Sequence, residues 1–328
     1  MPEAAVHQSE TCALDYTPSA ASLAGEVVQL SDGRAGVIPT DVAASAKGAA
    51  RTDGIWTVTK SADLVWIQGG PIWWDHSANA ATPNEPLGAG DRDFYLGTAY
   101  DDELAATTSA KVNLNVQPRY IIDSARDNFD YNIIKTVVGS TTVEVPNIRQ
   151  IGGMTVFNFG TTAEAQTVSM TSERSFAIGS NWICEMIVEL ITAADAAAVD
   201  VDFGVSSAAG TTDFEAVAEF AAFHLDGDDL VIDAHSDDGT TDVALTTTTI
   251  SIAAGTPVRF TLDGRDQTNV KYYINGAEVN AATSNMGVLT AATGPLFANI
   301  IAEKTSDDSP LVFRARTRVR TMQEDAER

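Results

Sequence analysis

Turn signals recur at short intervals along the chain from Gly25 to Asp75, and they leave room only for short strands. Val27 to Leu30 is an apolar run that ends at the turn sequence Ser31-Asp32-Gly33. The next run ends at Pro39, which has no N–H to donate to a β-ladder. No helical periodicity continues for more than two turns in the sequence. The pattern therefore predicts an all-β protein that opens with a small β-barrel.

We expect four parts along the 328 residues. Residues 1–24 are small and polar, which predicts an extended N-terminal arm. Residues 25–117 carry the short strands of the small β-barrel domain. Residues 118–150 mix aspartates with aromatic and branched apolar side chains, which indicates a packed connector. Residues 151–328 form a second domain.

The second domain repeats the rhythm of short β-prone runs and tight turns. Turn sequences such as Asp263-Gly264 and Asn275-Gly276 separate runs that are rich in β-branched and aromatic side chains. Turns at such regular spacing are typical of a β-sandwich or jelly roll. The sequence therefore predicts a jelly-roll β-sandwich for this domain.

Acidic side chains outnumber basic ones by 45 to 20, which gives a formal net charge of −25. Such a surface repels nucleic acid and anionic membranes, so we expect neither as a partner, whereas a basic protein would complement it. No apolar run approaches the ~18 residues that a membrane helix needs. Residues 1–24 lack the basic start and the apolar core of a secretory signal. We expect a soluble protein without a cleavable leader.

Metal-binding patterns are weak in this chain. Cys12 and Cys184 are too few for a disulfide framework or a thiolate site, and His224 and His235 are isolated in sequence. Oxygen ligands crowd one hairpin region, where the weak calcium candidates are Asp226, Asp228, Asp237 and Asp238. No EF-hand spacing is present, so the alternative is a set of acidic hairpin turns. We expect no metal and no cofactor.

Two pairs of acidic residues suggest glycosidase chemistry, which in a retaining enzyme needs two carboxyl groups ~5 Å apart. Glu185 and Glu189 share one face of a strand, about 13 Å apart at the backbone. Asp200 and Asp202 also share a face, about 6.6 Å apart. The sequence CEMIVEL resembles the Glu-x-Asp-x-Glu strand of laminarinase-type glucanases, but Ile187 stands at the position of the middle acid. Nucleotide-binding and hydrolase motifs are also absent, so we expect no enzyme.

Four arginines alternate along the last predicted strand, at Arg314, Arg316, Arg318 and Arg320. Alternate positions of a strand share a face, so the four guanidinium groups form one row. Opposite charges on neighbouring strands stabilise a sheet by up to about 1 kcal/mol per pair. One interpretation is that the row meets acidic rows such as Glu185/Glu189 or Asp200/Asp202. The alternative is a patch that binds an anion or a partner protein.

Tryptophans are concentrated in the opening stretch, at Trp56, Trp66, Trp73 and Trp74. The last two are adjacent and point to opposite sides of a strand, so one should fill the barrel while the other faces outward. An outward indole belongs either to the edge of the core or to a contact surface. Together with Arg34 and Pro39, these tryptophans are the candidates for an interface with another subunit or a partner protein.

Three segments of the first domain carry a resemblance to a known family. They are GRAGVIPTDVAASAKGAARTDGIWTVTK (Gly33–Lys60), GGPIWWD (Gly69–Asp75) and FYLGTAYDDELAATTSAKVNLN (Phe94–Asn115). In their order and turn pattern, residues 25–116 resemble the capsid decoration, or cement, proteins of tailed phages. The resemblance implies a structural virion protein without catalytic residues. Small barrels of this kind bind the outside of an assembled capsid, commonly as trimers, and stabilise the head against internal DNA pressure.

The partners implied by this resemblance are the major capsid protein and further copies of the chain in a homotrimer. The implied location is the outer capsid surface of the virion, after synthesis in the host cytoplasm. Residues 1–24 would then be an arm that adds to the sheet edge of a shell subunit or reaches a neighbour.

The second domain resembles laminin-G and concanavalin-like sandwiches. The resemblance is carried by AFHLDGDDLVIDAHSDDGT (Ala222–Thr240) and PVRFTLDGRDQTNVKYYINGAEV (Pro257–Val279). Domains of this kind bind sugars or proteins, and the fold alone does not decide which. The main hypothesis is a decoration protein whose second domain projects outward and meets host-surface glycans. The alternatives are a non-catalytic carbohydrate-binding protein and a glycoside hydrolase, which the missing middle acid disfavours.

Overall fold

The computed structural model describes residues 12–85, 92–123, 131–134, 141–144, 154–192, 199–209, 213–227, 229–279, 287–305 and 311–322. Every regular element in these ranges is a β-strand, so the all-β prediction is confirmed. No helix in the same ranges is long and apolar enough to cross a membrane. The chain divides into two compact units: the first is Met1–Arg119 with the short segment Asn275–Ala277, and the second is Tyr120–Ile274 with Glu278–Arg328.

The first unit consists of two antiparallel sheets in its described part. Its strands are β1 (Ala13–Tyr16), β2 (Val27–Gln29), β3 (Ala35–Val37), β4 (Gly48–Arg51), β5 (Ile55–Thr59), β6 (Pro71–Asp75), β7 (Ala80–Thr82), β8 (Phe94–Ala99) and β9 (Ser109–Leu114). One sheet has the strand order β1-β4-β3-β2, and the other has the order β5-β9-β8-β6-β7. A shared apolar core includes side chains from both sheets.

The barrel expected for this unit is not closed by a continuous ladder in the described residues. Near the edge strands β5 and β7, Lys60, which directly follows β5, forms an isolated parallel bridge with Ala81 of β7. Elsewhere the strands approach closely, because Gly97 in β8 has no side chain. A Cβ at Gly97 would lie 2.2 Å from the carbonyl oxygen of Asn113 in β9. The glycine therefore permits the tight pairing of β8 with β9.

The described part of the predicted N-terminal arm, residues 1–24, is not an arm. Ala13 to Tyr16 form β1, which pairs antiparallel with β4. Leu14 and Tyr16 pack against the apolar cluster of the four-stranded sheet. Their alternation with smaller or polar neighbours is a strand signal, which the alanine, serine and proline content of the segment obscured. Residues 1–11 lie outside the described ranges.

The second unit contains the remaining strands. They are β10 (Ile122–Asp123), β11 (Tyr131–Ile134), β12 (Thr141–Glu144), β13 (Thr155–Phe159), β14 (Gln166–Ser172), β15 (Phe176–Ala177), β16 (Trp182–Thr192), β17 (Val199–Ser206), β18 (Glu219–Asp226), β19 (Val231–Asp238), β20 (Asp242–Ser251), β21 (Val258–Asp263), β22 (Lys271–Ile274), β23 (Ala277–Glu278), β24 (Pro295–Lys304) and β25 (Leu311–Thr321).

These strands form two antiparallel sheets. The first, called the arginine sheet here, has the order β12-β13-β25-β16-β21-β22-β23, with β10 also paired to β25. The second, called the histidine sheet, has the order β11-β14-β24-β17-β18-β19-β20, with β15 also paired to β24. One apolar core joins the two sheets. For example, Phe203 of the histidine sheet and Phe260 of the arginine sheet lie 4.6 Å apart between ring centroids.

The packed connector expected over residues 118–150 supplies three strands to this sandwich. In the arginine sheet, β10 pairs with β25 and β12 pairs with β13. In the histidine sheet, β11 pairs with β14. None of these three strands exceeds four residues, so their patterns are too brief to be told from a packed loop. The sandwich therefore begins near Tyr120 and not at residue 151.

Candidate functional site

Three of the four tryptophans expected at an interface are core residues. Trp66 and Trp74 are fully buried, and Trp56 is 4% exposed. The indole N–H of Trp56 donates to the carbonyl oxygen of Asp53 at 2.8 Å. Trp73 is partly exposed. Trp56, Trp66 and Trp74 are too buried to form a contact surface.

Arg34 and Pro39, the other interface candidates, are both exposed. Arg34 pairs with Asp32 across the turn between β2 and β3, at 2.7 Å between Nη2 and Oδ2. The two side chains are 48% and 46% exposed, so water screens the pair. Breaking this pair costs little free energy, so a partner could bind either side chain. The turn therefore stays a candidate contact.

A groove of about 520 Å³ lies beside the same turn. Leu14 to Ser19 line one side, and Gln29 to Asp32 line the other. These segments contain or adjoin β1 and β2, the two edge strands of the four-stranded sheet. Edge strands present backbone groups to which an extended segment of another protein can add.

The arginine row lies on the outer face of the arginine sheet. The neighbouring strand β16 places Glu189 and Glu185 at the two ends of this row. Arg314 Nε donates to Glu189 Oε2 at 2.7 Å. Arg320 Nη2 lies 3.9 Å from Glu185 Oε1. The structure thus places Glu185 and Glu189 beside the row, as one of the two interpretations expected. Asp200 and Asp202, the other partners considered, belong to the histidine sheet.

Asp123 of β10, which was not predicted from the sequence, occupies the middle of the row. Both oxygens of Asp123 lie 3.1 Å from Arg316 Nη2. Arg318 Nε lies 3.8 Å from Asp123 Oδ1, and its guanidinium carbon is 5.2 Å from the centroid of the Tyr120 ring. The available signal was the apolar pair before Asp123, which marks a short strand inside the supposed connector.

Glu185 is a buried acid of this face, at 6% exposure. Burial pushes its pKa upward, but the charges of Arg320, Arg259 and Arg318 hold the pKa below its usual value. The Tyr120 hydroxyl also donates to Glu185 Oε2 at 3.2 Å. A general acid at neutral pH needs a raised pKa. The surroundings of Glu185 therefore suit a structural ion pair and not proton donation to a leaving group.

Replacing Glu185 by glutamine tests this ion-pair network. We expect the unfolding free energy of the second unit to fall by about 3 kcal/mol, because the substitution leaves buried guanidinium charge uncompensated. The matched control is Glu278→Gln, whose partner Lys271 is 3.6 Å away with side chains 29% and 43% exposed. That change should cost less than about 1 kcal/mol. Equal small losses in urea unfolding would instead favour an open patch that binds an anion or a partner.

A second charged cluster, the histidine cluster, lies on the histidine sheet. Asp202 Oδ1 is 2.9 Å from His224 Nδ1 and 3.5 Å from His235 Nε2. Asp200 Oδ1 is 3.9 Å from His224 Nε2. Strand register creates this arrangement, since β17 places Asp202 opposite His224 of β18. The two histidines were judged isolated in sequence, yet the hairpin of β18 and β19 places them diagonally on neighbouring strands.

Charges inside the histidine cluster shift the pKa values of its members. Burial lowers the pKa of His224, but the hydrogen bond to Asp202 and the charges of Asp202, Asp200 and Asp226 outweigh it, so the pKa rises to about 9. The pKa of Asp200 rises to about 6. Burial is the main cause, and the charges of Asp226 and Glu303 also raise the pKa, whereas the charge of His224 lowers it. At pH 7 the cluster therefore presents a cationic imidazole among carboxylates.

The weak calcium candidates close a hairpin turn in the second unit. Asp237 Oδ1 accepts one backbone N–H at 2.7 Å, and the carboxylate of Asp238 accepts three. Asp226 adjoins the histidine cluster, while Asp228 lies outside the described residues. Within the described ranges, no three His, Cys, Asp or Glu side chains are arranged to hold a metal ion. The carboxylates of Asp237 and Asp238 serve the turn backbone.

Replacing His224 by glutamine tests the electrostatics of the histidine cluster. The folded-state pKa of about 9 exceeds the ordinary value of 6.5. The protonated imidazole therefore stabilises the folded state fully below about pH 6.5, and this contribution is lost as pH rises through 9. Between those limits, the wild type should lose on the order of 2 kcal/mol more unfolding free energy than the variant. The exposed His76→Gln control should keep the wild-type profile, and the same profile in His224→Gln would refute the assignment.

Similarity to solved structures is low in identity and in score. The Emp47p carbohydrate recognition domain is 8% identical, with a TM-score of 0.44 over 61% of this chain and 93% of that chain. The cellulose induced protein Cip1 is 12% identical, with a TM-score of 0.43 over 63% of this chain and 100% of that one. A protein of unknown function from Shewanella oneidensis MR-1 is 13% identical, with a TM-score of 0.37 over 63% and 87%. No ligand or activity follows for this chain from similarity of this size.

The sequence itself matches a family in its N-terminal third. No curated protein matches the chain. Residues 7–114, however, match the phage cement protein family. The match begins upstream of β1 and ends at Leu114, the last residue of β9. It therefore includes β1, in agreement with the pairing of β1 to β4, and the part of the chain that is similar to the phage cement protein family is residues 7–114.

Proposed function

We propose that this chain is a structural virion protein that binds the outer surface of a phage capsid and stabilises it. The observation that carries the proposal is the match of residues 7–114 to the phage cement protein family. The matched segment comprises both sheets of the first unit, so the proposal concerns a complete folded unit. No catalytic role is part of it.

The partner in this proposal is the major capsid protein, on which the chain assembles as a homotrimer after synthesis in the host cytoplasm. The net charge of −25 supports a position on the outside, because packaged DNA repels an acidic surface. The groove between the edges of β1 and β2 offers a place where a strand of another subunit can add. The exposed turn with Arg34 adjoins this groove.

The glycan-binding role belongs to the second unit in this proposal, with host-surface glycans as its ligands. The histidine cluster supports it, because carboxylate and imidazole groups form hydrogen bonds with sugar hydroxyls. His224 and Asp200 reach solvent, with side chains 17% and 24% exposed. A non-catalytic carbohydrate-binding protein, the alternative function, would use the same cluster without any capsid partner.

Binding to shells tests the capsid role. Purified protein should co-sediment with expanded, undecorated capsids to a saturating copy number, and the decorated shells should resist heating better than bare ones. Shells already saturated with the same protein should take up no more. A protein that stays in the supernatant at every shell concentration would disprove the proposal. Deleting residues 1–24 is unsuitable as a test of an arm, since it removes β1.

Binding of the intact protein to a glycan array tests the role of the second unit. Replacing Asp200 by asparagine should weaken the signal at least tenfold, because the substitution removes the partly exposed carboxylate from the cluster. Asp242→Asn, at an exposed position of the same sheet, is the matched control and should leave the signal unchanged. Absence of any bound glycan, or equal signals from both variants, would argue against the assignment.

A further inference from the structure

One apolar side chain of the first unit is far more exposed than the others. Leu104 has 73% of its surface exposed, whereas the next large apolar residue in the described ranges, Ile191, has 46%. Isolated exposed apolar residues are common on protein surfaces. Leu104 differs because it lies on a loop that the core of the first unit holds in one conformation.

The loop of residues 100–108, called the Leu104 loop, connects β8 to β9 and is fixed at its first half by backbone bonds. Trp66 and Glu103 exchange two backbone hydrogen bonds, each 3.0 Å long. The Asp102 carboxylate accepts the backbone N–H of Gln68 at 2.7 Å. Since Trp66 is fully buried, the Leu104 loop is attached to the core directly before its exposed leucine.

A buried lysine holds the second half of the Leu104 loop. Lys60 is 3% exposed, and its ammonium group donates to the carbonyl oxygens of Ala105 and Thr107 at 3.3 and 3.2 Å. A buried ammonium needs such acceptors, so the loop carbonyls and Lys60 stabilise each other. The Thr107 hydroxyl also donates to the carbonyl oxygen of Leu104 at 2.9 Å. Leu104 is thus presented to solvent by a loop that is fixed on both sides.

We propose that Leu104 is the apolar anchor with which the first unit docks onto a shell subunit, a proposal that rests on the capsid role above. Fixed, exposed apolar side chains suit binding, because little conformational entropy is lost when they enter a pocket. A few residues carry most of the binding energy of an interface, and they lie in well-packed pockets that exclude water. The buried tryptophans do not offer such an anchor.

The charges beside Leu104 indicate the chemistry of the partner. Three acidic residues, Asp101, Asp102 and Glu103, directly precede it. Lys111 lies 3.6 Å from Asp101 and offsets one of them. At the Leu104 loop a second copy of this chain, with its own charge of −25, would bring like charges to the acidic residues, so the contacts within the proposed homotrimer lie elsewhere. The surface therefore fits an apolar pocket with a basic rim on the shell protein.

Co-sedimentation of the full-length Leu104→Asp protein with undecorated capsids tests this anchor. We expect at least a tenfold loss of apparent affinity at both low and high salt, since the substitution removes an apolar contact and not only a charge pattern. The melting temperature should not change, because the side chain is 73% exposed. Leu104→Met, which keeps an apolar side chain of similar size, should bind like the wild type.

The matched control is Leu23→Asp, at a position 43% exposed in the same unit, which should bind normally. Wild-type affinity in Leu104→Asp, or an equal loss in Leu23→Asp, would overturn the anchor and leave the capsid role standing. A wild-type protein that binds no shell would overturn both. Sedimentation velocity tests whether Leu104 instead contacts a second copy of this chain. If Leu104→Asp alters self-association but not shell binding, the anchor joins copies of this chain and the stated partner is wrong.

Discussion

Pairing with β25 is the interaction on which the second unit depends. This one strand pairs with β10, β13 and β16. The pairings also fix the charges of the outer face, since β10 brings Asp123 to Arg316 and β16 brings Glu189 to Arg314. On the inner face the same strand contributes Phe313 to the core. Because side chains alternate along a strand, β25 supplies an apolar layer and a charged layer at once.

Local sequence patterns predicted the elements of this fold better than their pairing. Turn signals between short runs correctly predicted an all-β chain. The partner of Arg316 was missed. Asp123 lies 193 positions away in the sequence and reaches Arg316 only because their two strands pair. A contact of this kind leaves no spacing in the sequence, so neither the arginine network nor the histidine cluster could be derived in full.

The first unit combines two kinds of surface that act at different distances. Its acidic charge acts over roughly a Debye length, about 8–10 Å in ordinary salt, and orients partners before contact. An apolar side chain such as Leu104 acts only after water has left the contact. The buried Trp66 connects the two, because it fixes the loop that carries both the acidic residues and the leucine. Because the indoles are buried, they make this surface rigid without adding exposed apolar area to it.

The place of β25 in the arginine sheet also determines when the sandwich can form during synthesis. Its neighbours β13 and β16 leave the ribosome well over a hundred residues before Leu311–Thr321, the strand that must lie between them. The first unit needs nothing beyond β9 for its sheets and can fold early. Until β25 emerges, the edges of β13 and β16 that face each other have no strand between them. On a polysome that makes many copies, those edges are open to neighbouring chains, so the pairing of β25 with both strands is the step that protects them from aggregation.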